Sequence, residues 1–211
     1  MRAVLWALAL LAAPAPAAAD EPGDFDYYIL ALSWSPNWCA LEGAAQGAPE
    51  CQEGEGLGWI LHGLWPQYED GGWPSRCDAD VPDATRRQTA AMADIMGSDG
   101  LAWHEWQVHG TCSGLSAGEY FNLAREAFEA VAIPDVFERL PREVTLPAAL
   151  VQEAFLRAGP GLGADALTVT CDEGHIQEVR LCLTRDLEPR PCGEGARRDC
   201  TLAEARMVPV P

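Results

Sequence analysis

"WHEWQVHGTC", Trp103–Cys112, sets two of the chain's four histidines and a glutamate beside a cysteine. Metal ligation, core packing and proton transfer compete to explain such a cluster. His-Glu-x-x-His on a helix holds zinc because its two imidazoles lie one turn apart, with the glutamate as base. His104 and His109 are one residue further apart than that. At about 100° per residue their rings stand about 140° apart around a helix and do not share one ion. Glu105 and His109, by contrast, are i and i+4 and share a helical face. A carboxylate there raises an imidazole's pKa and orients its ring, as a proton-transfer site requires. A second histidine completes an acid–base pair. His62 in "GWILHGLWP" (Gly58–Pro66) qualifies, because its flanks are Gly, Trp and Pro and it projects from an apolar stretch.

Outward from these segments, the chain reads as α+β. "FDYYILALSWSP" (Phe25–Pro36) is aromatic and β-branched enough for a strand ending at Pro36, and "GWILHGLWP" is a second. "PDATRRQTAAMADIMG" (Pro82–Gly97) reads as a helix opened by Pro82-Asp83 and stopped by Gly97. Ser116-x-x-Glu119 is a capping box ahead of "YFNLAREAFEAVAI", where Tyr120, Leu123, Ala127 and Val131 form a core-facing stripe. A further helix spans Pro147–Ala158. "DALTVTC" (Asp165–Cys171) and "HIQEVRLCLT" (His175–Thr184) alternate like strands. The elements do not alternate steadily, which argues against a doubly wound parallel sheet.

Met1–Ala19 carries one Arg, an apolar run and the small-residue end Ala17-Ala18-Ala19, the pattern of a cleaved secretory signal. Residues 20–211 are then expected to form a single domain, secreted or periplasmic. No later stretch approaches the roughly 20 apolar residues of a spanning helix, so no membrane association is expected. Eight cysteines in an exported chain imply disulfides, and none has the Cys-x-x-Cys spacing of closed zinc sites. Sequence leaves on the order of 100 pairings open, although the loop Glu42–Gly58 suits a Cys39–Cys51 tie. The net charge is −18, and every one of the 14 basic residues is Arg. Such acidity argues against a protein that holds nucleic acid by general electrostatics and favours a local, weak grip.

"LHGLWPQY" (Leu61–Tyr68) and "HEWQVHGTC" (His104–Cys112) together resemble the two active-site segments of the ribonuclease T(2) family of secreted endoribonucleases. "FDYYILALSWSPNWC" resembles that family's first strand, and "EVRLCL" with the cysteines after it resembles its C-terminal disulfide region. The resemblance spans nearly the whole chain after the signal and implies a central, mainly antiparallel sheet with several packed helices and disulfide bonds. It makes His109 the general base and His62 the general acid of RNA cleavage through a 2′,3′-cyclic phosphate. His104 would hold the phosphate, and Glu105 would stabilise the transition state or tune His109. Trp65 would stack a base, with Tyr68 assisting and Gln67 in the base pocket, giving low base specificity. The implied disulfides are Cys77–Cys112, Cys171–Cys200 and Cys182–Cys192, leaving Cys39–Cys51.

RNA carries its own nucleophile, so the scheme calls for no metal or cofactor, and DNA, without the 2′-hydroxyl, is not a substrate. The expected partner is single-stranded RNA, acted on by a monomer. Val108 stands where the resembling proteins usually carry Lys. The alternative on the same scaffold is therefore a catalytically weakened RNA-binding or regulatory protein.

Overall fold

The computed structural model describes residues 20–211; the Met1–Ala19 signal reading lies outside the described residues. Strands β1 (Tyr27–Trp34), β2 (Trp59–Gln67), β3 (Val144–Leu146), β4 (Leu167–Asp172), β5 (His175–Leu183) and β6 (Ala205–Met207) form one sheet. Its order is β2-β1-β5-β6-β3, with β4 also paired to β5. The β1–β2, β1–β5, β4–β5 and β3–β6 pairings are antiparallel. β5 and β6 meet in parallel through one residue pair, His175 with Arg206. The architecture is α+β with a mixed, mainly antiparallel sheet.

After β1 the chain turns through α1 (Ser35–Trp38), a π-helical turn over Cys39–Gly43 and α2 (Ala44–Gln46). Between β2 and β3 lie α3 (Arg86–Ala90), α4 (Ala93–Met96), α5 (Asp99–Val108) and α6 (Ala117–Glu129); α7 (Ala148–Ala158) follows β3. The helix expected to open at Pro82-Asp83 starts instead at Arg86 and breaks in two. Thr85 caps it reciprocally with Gln88, which ends the coil there. Gly97 stops α4 in the left-handed region at φ 79°, where a side chain would be strained. Ser116 and Glu119 form the capping box of α6.

Strand alternation sorts the sheet into two unlike faces. Tyr28, Leu30, Leu32 and Trp34 of β1 join Leu61 and Leu64 of β2 and Val179, Leu181 and Leu183 of β5 in the main core. Trp106 of α5, Tyr120 and Phe121 of α6, and Val151 and Phe155 of α7 cover that face. On the opposite face Tyr27, Ile29 and Cys182 form a small cluster with Trp65 against it. That thinly covered face is free to carry polar chemistry. Disulfides join Cys39 to Cys51, Cys77 to Cys112, Cys171 to Cys200 and Cys182 to Cys192. Cys77–Cys112 clamps the end of the α5 segment to the loop after β2.

Candidate active site

β2 lies at the sheet edge, and its register with β1 slips once. Ala31 pairs with Gly63 and Leu32 with Leu61, so His62 is the extra residue of a β-bulge. The bulge resets the alternation, which lets both Leu61 and Leu64 enter the core while His62 turns to the other face. Its side chain is 34% exposed. On the far side of β1, Glu178 pairs with Ser33 and Arg180 with Ala31. β5 therefore delivers both charged side chains to the face that holds His62.

Glu178 is 2% exposed. Its Oε1 lies 2.5 Å from His62 Nδ1, while Oε2 accepts a 2.7 Å hydrogen bond from Arg180 Nε. Burial pulls the His62 pKa down, but the hydrogen bond and charge of Glu178, with the Glu105 charge beyond, outweigh it and the net displacement is upward. For Glu178 burial pushes upward, and the bond and charge of His62 with the charge of Arg180 carry it below the usual carboxylate value.

α5 supplies the opposing wall. Ser98 caps it by accepting from Leu101 N, and the helix buries Ala102, Glu105 and Trp106 along one stripe. Glu105, 2% exposed, thus points inward, where Oε2 accepts a 2.6 Å hydrogen bond from Trp65 Nε1 and Oε1 lies 3.7 Å from His62 Nε2. Burial lifts its pKa to about 6 against the lowering by His62 and by the Trp65 bond. Gly63 makes the approach possible, since a Cβ there would overlap the Glu105 carboxylate and the Trp65 indole nitrogen.

His109 corrects the reading of the i, i+4 spacing. It is the C-cap of α5, with φ −119°, and its amide donates to the Glu105 carbonyl at 2.9 Å. The two side chains part there: the carboxylate engages β2, and His109 Nδ1 is buried without a hydrogen-bond partner among the described residues. Glu105 therefore does not raise the pKa of His109. Burial, followed by the nearby charges of His62, His104 and Arg76, pushes that pKa down to about 3. Trp65 packs against both imidazoles, its ring centroid 5.2 Å from His62 and 5.3 Å from His109.

A cleft of about 500 Å³ opens beside His109, lined by Trp65, Gln67, Tyr68, Trp73, Val108 and Arg180 among others. Gln67 is buried in its wall, donating to the Pro66 carbonyl at 2.8 Å, and the Tyr68 hydroxyl donates to Asp20 Oδ1 at 3.0 Å. His104 is exposed on the outer face of α5. On the other side of His62 lie smaller hollows of about 200 and 160 Å³. Sequence reasoning passed over Glu178 and Arg180 and left Trp73 without an assigned role. The cue for the first two was present in "QEVRLC": Glu178 and Arg180 alternate with Val179 and Leu181, which puts two opposite charges on one face of an otherwise apolar strand. Trp73, 55% exposed at the cleft, lay in a Gly-rich loop with no pattern to place it.

The thin face of this α+β, disulfide-linked sheet gathers two histidines and two buried carboxylates beside one open cleft. Residues 25–192 match the Ribonuclease T2 family. A ribonuclease of Aeromonas hydrophila is 37% identical over 88% of this chain and 86% of its own length. The fold is shared with an RNase-related protein from Calystegia sepium, at TM-score 0.66 and 22% identity over 89% of this chain and 97% of that one. RNase NT, solved in complex with 5′-AMP, has TM-score 0.62 and 23% identity over 88% of this chain and 98% of its own. The chain therefore belongs to the ribonuclease T2 family of endoribonucleases.

Proposed function

We propose that the protein is exported through its Met1–Ala19 segment and that its single domain, residues 20–211, cleaves single-stranded RNA without a metal. Two histidines of opposite tuning do the work. The observation that carries this reading is that two imidazoles pack against one indole, one with its pKa pushed down to about 3 and the other with its pKa raised. Below its raised pKa His62 is the protonated acid while His109, pushed down, is already the neutral base, which is the pairing that general acid–base catalysis needs.

His109 takes the proton of the ribose 2′-hydroxyl, and the 2′-oxygen attacks the phosphorus. The P–O5′ bond breaks, and His62 gives its proton to the departing 5′-oxygen. The products are a 2′,3′-cyclic phosphate and a free 5′-hydroxyl; with the roles reversed, water opens the ring to a 3′-phosphate. His104, exposed on α5 and near enough for its charge to act on His109, meets a phosphate entering from solvent. Glu105 fixes Trp65 and holds positive charge on His62, so its influence on the reaction runs through the acid.

The cleft next to His109 takes the nucleoside that carries the attacking hydroxyl, and the hollows beyond His62 take the leaving one. Chain on both sides of the scissile phosphate suits internal cleavage. Trp65 and Trp73 offer indole surface, with Tyr68 at the wall, and stacking on such rings is worth about 1–3 kcal/mol per base with little regard to sequence. The 5′-AMP held by RNase NT supports nucleotide binding on this fold.

The test is cleavage of a short single-stranded RNA and matched DNA in excess EDTA, comparing wild type with His62→Ala and His109→Ala. The expected result is EDTA-resistant cutting of RNA alone, with cyclic-phosphate ends, lost in either variant. Cutting that EDTA stops, or that survives both substitutions, contradicts the two-histidine scheme.

A further inference from the structure

The centre holds two buried carboxylates, Glu105 and Glu178, and the cleft must nevertheless receive a phosphate. With both carboxylates ionised, His62 protonated and His109 neutral, the centre carries one more negative than positive charge before any other group is counted. An approaching phosphodiester is repelled, and the more highly charged transition state is opposed further. The chain contains no lysine and has net charge −18, so distant groups give no relief. The position next to the base on α5 is Val108, which lines the cleft without a charge.

From this we infer that Arg180 is a catalytic residue: its guanidinium binds the scissile phosphate and stabilises the charge that builds up as the 2′-oxygen attacks. This deepens the two-histidine reading and rests on it. Two arginines line the cleft with His109, Trp65 and Val108: Arg180 from within the sheet, beside Trp65, and exposed Arg198 from the C-terminal loop. Arg180 Cζ lies 5.2 Å from the Trp65 ring centroid, so the guanidinium is one indole away from both imidazoles. Buried Glu178 receives Nε at 2.7 Å and Nη2 at 2.5 Å. That grip fixes the plane of the fork and leaves Nη1 without a protein partner among the described residues. One carboxylate thus aligns the acid through one oxygen and the phosphate-binding cation through the other. Arg180 also brings the centre to zero net charge. A preorganised donor aimed at developing charge in a partly dry site is worth about 100-fold or more in rate.

Arg76 is a further competing cation, since its charge also acts on His109. It is exposed, however, and lines a separate hollow with Val81, Trp106 and Gln107.

The decisive experiment measures steady-state cleavage of an RNA dinucleotide by wild type, Arg180→Gln, Arg76→Gln, and Arg180→Gln combined with Val108→Lys. Alongside, binding of the uncleavable 2′-deoxy dinucleotide and the NMR titration of His62 are followed. Arg180→Gln is expected to lower kcat by about 100-fold. Affinity for the deoxy analogue should fall far less, and His62 should still titrate as an intact imidazole above its ordinary value. Lysine at position 108, placed in the same cleft, is expected to recover at least about tenfold in the Arg180→Gln background, more than it adds to wild type. Cleavage by Arg180→Gln within about threefold of wild type overturns the assignment. So does an equal or larger loss in Arg76→Gln. Lack of rescue by Val108→Lys together with a collapsed His62 titration also overturns it, because Arg180 would then only hold Glu178 in place. Failure of the two-histidine scheme shows itself separately, as activity that survives His109→Ala.

Discussion

At the scale of single residues, charge state is governed by which partner each imidazole meets. His62 has Glu178 at Nδ1 and Glu105 beyond Nε2; His109 has no acceptor at Nδ1 and neighbours of positive sign. Glu178→Gln removes the largest influence that raises the His62 pKa and leaves burial, which lowers it. The acid is competent only below its pKa, so the alkaline limb of kcat/KM should move to lower pH, with about tenfold less activity on that limb for each unit moved. A pH–rate profile reads this directly, and an unmoved alkaline limb would remove Glu178 from control of the acid. His109 has a stability counterpart. Its folded pKa, about 3, lies below its unfolded value, so between the two the unfolded chain binds the extra proton and stability falls as pH drops from about 6.5 to about 3. His109→Asn should lose melting temperature less steeply than wild type across that window, as thermal melts at stepped pH would record.

At the scale of elements, the site depends on three joints. The β2 bulge turns His62 away from the core, the C-terminal end of α5 separates His109 from Glu105, and Cys77–Cys112 ties that end to the loop leaving β2. Arg76 N also donates to the Val108 carbonyl at 2.9 Å, which satisfies a free acceptor of the last helical turn. Removing the clamp with paired Cys77→Ala and Cys112→Ala substitutions should cost about 2–5 kcal/mol of stability. For a domain of this size that is a fall in Tm of about 4–20 °C. Calorimetry checks the loss, and a Tm unchanged from wild type would show that the bridge adds nothing the packing of Trp106 and Tyr120 does not already supply. Gly63 is a further constraint at this scale, because its missing side chain is the space that Glu105 and Trp65 occupy.

At the scale of the whole molecule, an acidic surface surrounds a centre that must bind an anion. Long RNA is opposed by the general field while its scissile phosphate is held locally. Salt screens the first effect over about 10 Å at 0.1 M and the second much less. KM for long single-stranded RNA should therefore stay level or fall as salt rises from about 0.01 to 0.15 M, whereas KM for a dinucleotide changes little. A steep rise in KM for the polymer would mean that phosphates are gathered by a basic track, which the composition argues against. Among the described residues no helix is long and apolar enough to cross a membrane.

Local signals in the sequence were enough for the strands β1, β2, β4 and β5, the capped start of α6, the start of α7 after Pro147 and the stop at Gly97, because periodicity, capping residues and Gly or Pro act within a few residues of chain. The identities of His62, Glu105 and His109 were legible for the same reason: each stands in a short segment of distinctive composition. Their partners were not. Spacing alone joined Glu105 to His109, yet the carboxylate turned to Trp65 and His62 on β2, because an indole N–H and a charged imidazole compete for it better than a side chain at the frayed helix end. Glu178 and Arg180 lie more than 100 residues after His62 and reach it only through the pairing of β1 with both β2 and β5. Sequence by itself determined which groups could move protons. The tertiary structure decided which neighbours each imidazole meets, because burial and the groups that strand pairing brings together across the chain set its pKa.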